Sequence, residues 1–138
     1  MDIDLIPSLS LASAERLADR ALAAAAAAGV AICVAVVDRA GLPLVFKRQP
    51  GAPLHSIDIA LDKAYTAVSF GRPTAAWNER LAPGSELLRH GLIARARFVG
   101  FGGGVPVEHQ GQRVGGLGIS GGSEAQDDEF ARQALADD

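Results

Sequence analysis

The chain is predicted to be an α+β protein, an antiparallel sheet covered by helices. Three observations predict it. Val30 to Val37 (VAICVAVV) is a continuous apolar run, rich in β-branched residues, that reads as a central strand covered on both faces. Phe98 to Gly122 is rich in glycine and reads as strands around a hairpin turn. The elements follow in the order helix, hairpin, helices, strands, helix, so the strands are not regularly separated by helices, which argues against a Rossmann arrangement. At 138 residues the length fits one domain, residues 1–138.

Ser10 is placed to cap a first helix, Leu11 to Ala28, with Gly29 as its stop. Leu11, Ala14, Leu17, Ala18, Ala21, Leu22 and Ala25 recur at helical spacing. After the apolar strand, Asp38-Arg39-Ala40-Gly41 is a turn, with Asp first and Gly fourth. Leu42 to Arg48 returns as an antiparallel strand, and Pro43 puts its start on an edge or a bulge. Gln49 to Pro53 is a loop. Ser56 is expected to cap a second helix, Ile57 to about Phe70.

That second helix carries two apolar stripes. Ile57, Ala60, Leu61, Ala64 and Val68 form one; Ile59, Lys63, Thr66 and Phe70 form another. It must therefore be covered on two sides, by the sheet and by something else. Lys63 sits within the second stripe, and two readings stay open: a snorkelling lysine reaching water, or an ammonium directed into an interface or pocket.

Gly71-Arg72-Pro73 stops the helix, Thr74 is expected to cap a short one containing Trp77, and a further turn or two follows Ser85. Phe98 to Phe101 is expected to begin the glycine-rich strands, and His109 to Gln112 is their hairpin turn, with Gly111 left-handed. Ser123 and Gln126 form a capping box for a last helix, to about Ala136.

Net charge is −3, and the 13 basic residues are scattered without a run, so nucleic acid is not an expected partner. Tyr65 and Trp77 are the only amphipathic aromatics, too few for base stacking. The single cysteine, Cys33, excludes an internal disulfide framework and reads as a small core residue. The N-terminus has two acids and no basic segment, so no signal peptide is expected. The alanine run of the first helix is too short to span a bilayer. A cytoplasmic protein without membrane association is the expectation.

Ten of the 16 glycines lie between Phe98 and Gly122. Either a helix packs closely on the sheet there, or backbone lines a shallow ligand site. The string Gly100 to Gly104 is not a dinucleotide fingerprint, since a proline-containing strand follows it instead of a helix. His55, His90 and His109 are too dispersed to announce a metal site. His55 stands out because it precedes the Ser56 cap; an imidazole there could ligate haem iron or shuttle a proton. Asp127 and Asp128 read as helix-start charges. Ser120 lies in Gly118-Ile119-Ser120-Gly121-Gly122, but without the parallel strand-to-helix context of a nucleophile elbow.

Taken in order, Val34-Ala35-Val36-Val37-Asp38-x-x-Gly41, Arg48 with Gly51-Ala52, Ser56-x-x-x-Ala60-x-x-Lys63-Ala64-x-Thr66-Ala67, Gly103-Gly104-Val105-Pro106, Gly111-x-x-Val114-Gly115-Gly116-Leu117-Gly118-Ile119-Ser120-Gly121, and Gln126-Asp127 with Ala131 downstream resemble the GlcG/HbpS family of haem-degrading or haem-binding domains, related to the C-terminal domain of PduO-type corrinoid adenosyltransferases. The resemblance covers nearly the whole chain. It implies a profilin-like α+β fold and a homo-oligomer. It implies no haem ligand at a particular position.

Arg48, Ser56 and Lys63 within the matched motifs suggest a pocket at a subunit interface, closed by the backbone of Gly102, Gly103 and Gly104 and suited to a carboxylate or propionate. Two functions follow as expectations. One is a cytoplasmic oligomeric protein binding haem or a small anion, with Lys63 or Arg48 at the propionates and His55 a candidate iron ligand. The other is a cofactor-independent enzyme moving a proton on a small carboxylated or carbonyl metabolite, with Lys63 and Arg48 as its catalytic residues. A third, a scaffold whose glycines serve oligomer packing alone, stands behind both.

Overall fold

The computed structural model describes residues 1–136. Its elements in chain order are α1 (Leu11–Ala27), β1 (Cys33–Asp38), β2 (Pro43–Arg48), α2 (Ser56–Phe70), a 3₁₀ turn (Thr74–Ala76), α3 (Trp77–Arg80), α4 (Glu86–Ile93), β3 (Gly104–His109), β4 (Gln112–Ser120) and α5 (Glu124–Ala136). The four strands form one antiparallel sheet in the order β2-β1-β4-β3. Helices α1 and α5 pack on one face and α2 on the other. This is the predicted α+β arrangement. Among the described residues no helix is long and apolar enough to cross a membrane.

Local chemistry sets most boundaries. Ser10 Oγ accepts from the Ser13 N–H at 3.2 Å, capping α1 as expected. Asp38 Oδ1 accepts from the Ala40 and Leu42 N–H groups at 2.9 and 3.0 Å, closing the β1–β2 turn. β2 is an edge strand, with Pro43 at its start next to a register shift. The β3–β4 hairpin turns through Gln110 (φ 50°) and Gly111 (φ 75°), so two left-handed residues make the tight turn whose hand suits twisted strands. Ser123 Oγ accepts from the Gln126 N–H at 3.1 Å, and Gln126 Oε1 accepts from the Ser123 N–H at 3.0 Å, completing the capping box of α5.

Four boundaries differ from expectation, each for a visible reason. β1 begins at Cys33, not Val30, because the Ile32 N–H is taken by the Gln49 side chain at 2.9 Å and not by a strand. Ser56 does not cap α2; it is the first helical residue and buried, and His55 holds the cap position without a side-chain bond. Thr74 does not cap a helix either. Its buried Oγ1 accepts from the Gly104 N–H at 2.9 Å, pinning the start of β3. Phe98 to Phe101 is not strand, because Thr66 Oγ1 donates to the Arg97 carbonyl at 2.9 Å and accepts from the Val99 N–H at 3.1 Å. That segment is tied to α2, and β3 starts only at Gly104.

The α2 face explains the glycines. Register places Cys33, Ala35 and Val37 of β1 beside Ser120, Gly118 and Gly116 of β4. A Cβ on Gly118 would collide with the Ala60 carbonyl, and one on Gly116 with the Ala64 carbonyl. Two strand residues advance about 6.6 Å and four helical residues about 6.0 Å, so alternate glycines on β4 can keep pace with alanines four apart on α2. Of the second stripe of α2, Lys63 and Thr66 are buried by the Arg97–Gly103 segment and the start of α5 within the same chain, while Ile59 is half-buried at its N-terminal end and Phe70 is 47% exposed at its C-terminal end.

Candidate functional site

Lys63 is 1% exposed, and its ammonium is the polar centre of the α2 face. It does not snorkel. Nζ donates to the Ile119 carbonyl at 2.7 Å and to Asp127 Oδ2 at 3.1 Å, and stands 5.2 Å from the centroid of the Phe101 ring. Asp127, 2% exposed, also accepts from the Gly122 N–H at 2.9 Å through Oδ1. Gly103, with φ 126°, leaves the room the ammonium occupies: a Cβ there would lie 2.6 Å from Nζ. Burial pushes the Lys63 ammonium below the usual lysine range, and Asp127, then Glu124 and Asp128, pull it partly back. The pair joins α2 to β4 and to α5, so one ion pair fixes three elements.

Beside this pair an open crevice of about 420 Å³ lies between the starts of α2 and α5. Its walls are apolar at Pro53, Ile59 and Phe101. Ser56, Ser120 and Lys63 form its polar floor, and Asp127 adjoins them. His55 and Glu124, both exposed, stand at the rim. Among the described residues no group of three histidine, cysteine or acidic side chains could hold a metal ion by itself.

The predicted residues are thus partly assembled. His55, Ser56 and Lys63 meet in the crevice. Arg48 does not line it. Arg48 is exposed at the end of β2, paired through Cys33 of β1 to Ser120, and so two strand spacings, roughly 9.5 Å, from the Ser120 backbone. Gly102, Gly103 and Gly104 are buried against α5 and α2; added Cβ atoms would meet the Glu124 carbonyl at 2.8 Å, the Ile119 carbonyl at 2.5 Å and the Lys63 carbonyl at 2.5 Å. Protein atoms therefore occupy the space at these three glycines. The glycines that line the crevice are Gly121 and Gly122.

Asp127 is more than the helix-start charge expected of it. The signal was its spacing: Asp127, Phe130, Ala131 and Ala134 share the buried stripe of α5. An acid on that stripe and a lysine on the stripe of α2 each require a partner when buried. Phe101 and Glu124 carried no comparable signal, since their convergence depends on the irregular path of residues 98–103.

A family model described as haem degrading protein HbpS-like matches residues 9–136, and the chain belongs to this family. An uncharacterized 15.0 kDa protein from the dhaT-dhaS intergenic region of Citrobacter freundii is 37% identical over 130 residues, covering 94% of this chain and 92% of that protein. The corrinoid adenosyltransferase PduO of Citrobacter freundii is 36% identical over 129 residues, covering 94% of this chain; the chain spans 38% of the length of that enzyme. The crystal structure of a PduOC:heme complex superposes with a TM-score of 0.86 at 36% identity, covering 94% of each chain.

Proposed function

We propose that this chain is a haem-binding protein, that the crevice between α2 and α5 is its haem site, and that His55 is the iron ligand. One observation carries the reading: His55 is an exposed imidazole at the mouth of a crevice walled by Pro53, Ile59 and Phe101. An apolar wall accepts a porphyrin face, and neutral imidazole is a common iron ligand. His90 on α4 and His109 at the β3–β4 turn are not among the crevice residues. The likeness to a protein solved with haem supports the same ligand class. Bound haem would supply redox-active iron; the chain's own residues would hold and orient it. The protein acts in the cytoplasm as a homo-oligomer, a second subunit covering the open side of the crevice.

The competing reading is a cofactor-independent enzyme that moves a proton on a small carboxylated or carbonyl metabolite. It draws on the lowered basicity of Lys63. It also asks Lys63 and Arg48 to meet one substrate, although Lys63 is 1% exposed and engaged by two acceptors while Arg48 lies outside the crevice. Haem binding asks for neither.

The test is a haemin titration of wild type and His55→Ala, followed by absorbance. Wild type is expected to saturate near one haem per chain with a shifted Soret band, and the variant to lose that shift. Non-saturating uptake by wild type would sink the haem reading. Saturable binding with the same spectrum in His55→Ala would keep haem and reject the ligand.

A further inference from the structure

We infer that the floor of the crevice is a carboxylate subsite, in which the Ser56 and Ser120 hydroxyls donate to one carboxylate group. The inference rests on reading the crevice as a ligand site, but not on haem being the ligand. Ser56 is 3% exposed and Ser120 6%, and both line the crevice. Neither hydroxyl makes a hydrogen bond within the described residues. Neither oxygen is among the sealed, unpartnered side-chain atoms of the described residues, which are Trp77 Nε1 and Asp128 Oδ1, so both hydroxyls open onto the crevice and not into the protein interior. Two such hydroxyls facing one crevice are donors without an acceptor.

The electrostatics favour an anion there. α2, of 15 residues, and α5, of 13, both begin at the crevice, so the positive ends of two helices converge on it. The cap position of α2 carries no side-chain bond to offset its end, whereas the α5 end is already engaged by the Ser123–Gln126 capping box and by Asp127 on the Gly122 N–H. Lys63 has three ammonium N–H groups and spends two of them, on Ile119 and Asp127. Four acids oppose this field: Asp127, paired with Lys63, Asp128, paired with Arg132, Glu124 at the rim, and Asp58 in the first turn of α2. Acids so close tolerate one negative charge better than two, so the group is a monocarboxylate and not a phosphate. It is supplied either by a propionate of haem or by a free small carboxylic acid.

The test compares wild type, Ser56→Ala/Ser120→Ala and His55→Ala in thermal unfolding with sodium propionate, inorganic phosphate or sodium chloride at equal ionic strength. Propionate is expected to raise the melting temperature of wild type and His55→Ala, phosphate and chloride to do so less, and the double-serine variant to lose the propionate response. Without ligand the double variant should melt no lower than wild type, because it removes two oxygens that bond nothing in the protein. Haemin and its dimethyl ester then identify the source. A preference of wild type for haemin of roughly tenfold, absent from the double variant, assigns the subsite to a propionate. Equal binding of the two, with the propionate response intact, assigns it to a free acid. Equal propionate responses in wild type and the double variant, or none in either, overturn the subsite, as does a double variant that melts well below wild type. Failure of haemin to saturate wild type would remove the haem reading while the propionate arm still decides the subsite.

Discussion

The two faces of the sheet are built on different principles. On the α1/α5 face, Val34, Val36, Val105, Leu117 and Ile119 interdigitate with the alanines and leucines of the helices and with Phe130. The separation there is set by side chains. On the α2 face the same strands present Cys33, Ala35, Gly116, Gly118 and Ser120, and α2 answers with Ala60 and Ala64. There backbone meets backbone, and the one long side chain sealed inside is a lysine. The first face can absorb small changes in volume; the second cannot. The candidate site lies where the second face ends, since the close approach that fixes α2 also brings its first turn beside Ser120 and the start of α5.

The sharpest break in this contrast is Lys63→Met. It leaves Asp127 buried with the Gly122 N–H and no cation, which is expected to cost about 3–5 kcal/mol. Lys63→Met/Asp127→Leu removes both charges and is expected to recover most of that loss, because a buried pair exchanged for apolar side chains of similar volume is often near neutral. Denaturant unfolding of the three proteins checks this. A double variant no better than Lys63→Met would mean that the pair contributes fold stability that packing cannot replace.

Matched changes on neighbouring residues of β4 compare packing alone. Gly118→Ala adds one methyl against the Ala60 carbonyl and is expected to cost about 3 kcal/mol, at the top of the range for overpacking. Ile119→Val removes one methylene from the opposite face and is expected to cost about 1 kcal/mol. Equal costs in chemical denaturation would mean that α2 can shift away from the sheet.

The same difference explains what the sequence made legible. The aliphatic face was readable because a β-branched run such as Val34 to Val37 and a helical repeat such as Ala14, Leu17, Ala18 and Ala21 announce their partners by hydrophobicity. The glycines at 116 and 118 were readable as a need for closeness, with packing and ligand binding left open; the structure fills the space at these two and at Gly102 to Gly104 with protein. Ser56 and Lys63 were found from their setting in the matched motifs and His55 from its place just before Ser56, and all three reach the crevice. Arg48 was grouped with them because it too falls within the matched motifs, which say nothing about the two strand spacings that separate it from Ser120. Lys63 and Asp127 lie 64 residues apart, and only the buried stripes of two helices hinted that they meet.

A weaker probe bears on the same pair without altering the fold. Burial holds the Lys63 ammonium below its ordinary range, so between that lowered value and the unfolded value near 10.4 the unfolded chain binds more protons than the folded one. Stability should therefore rise with pH across that window, as the penalty of burying the charge is relieved. Lys47 acts in the opposite sense. Its contacts with Asp19 and Glu15 raise its basicity, so the stability it adds is present below the ordinary lysine value and is lost as pH climbs above it. The two effects occupy different windows, and Lys47 is common to wild type and Lys63→Met/Asp127→Leu. The difference in unfolding free energy between these proteins, measured from pH 7.5 to 10.5, isolates Lys63. It is expected to move in favour of wild type as pH rises. A flat difference would mean that Asp127 and the Ile119 carbonyl hold the ammonium at its ordinary basicity, and that the two faces differ in packing distance alone.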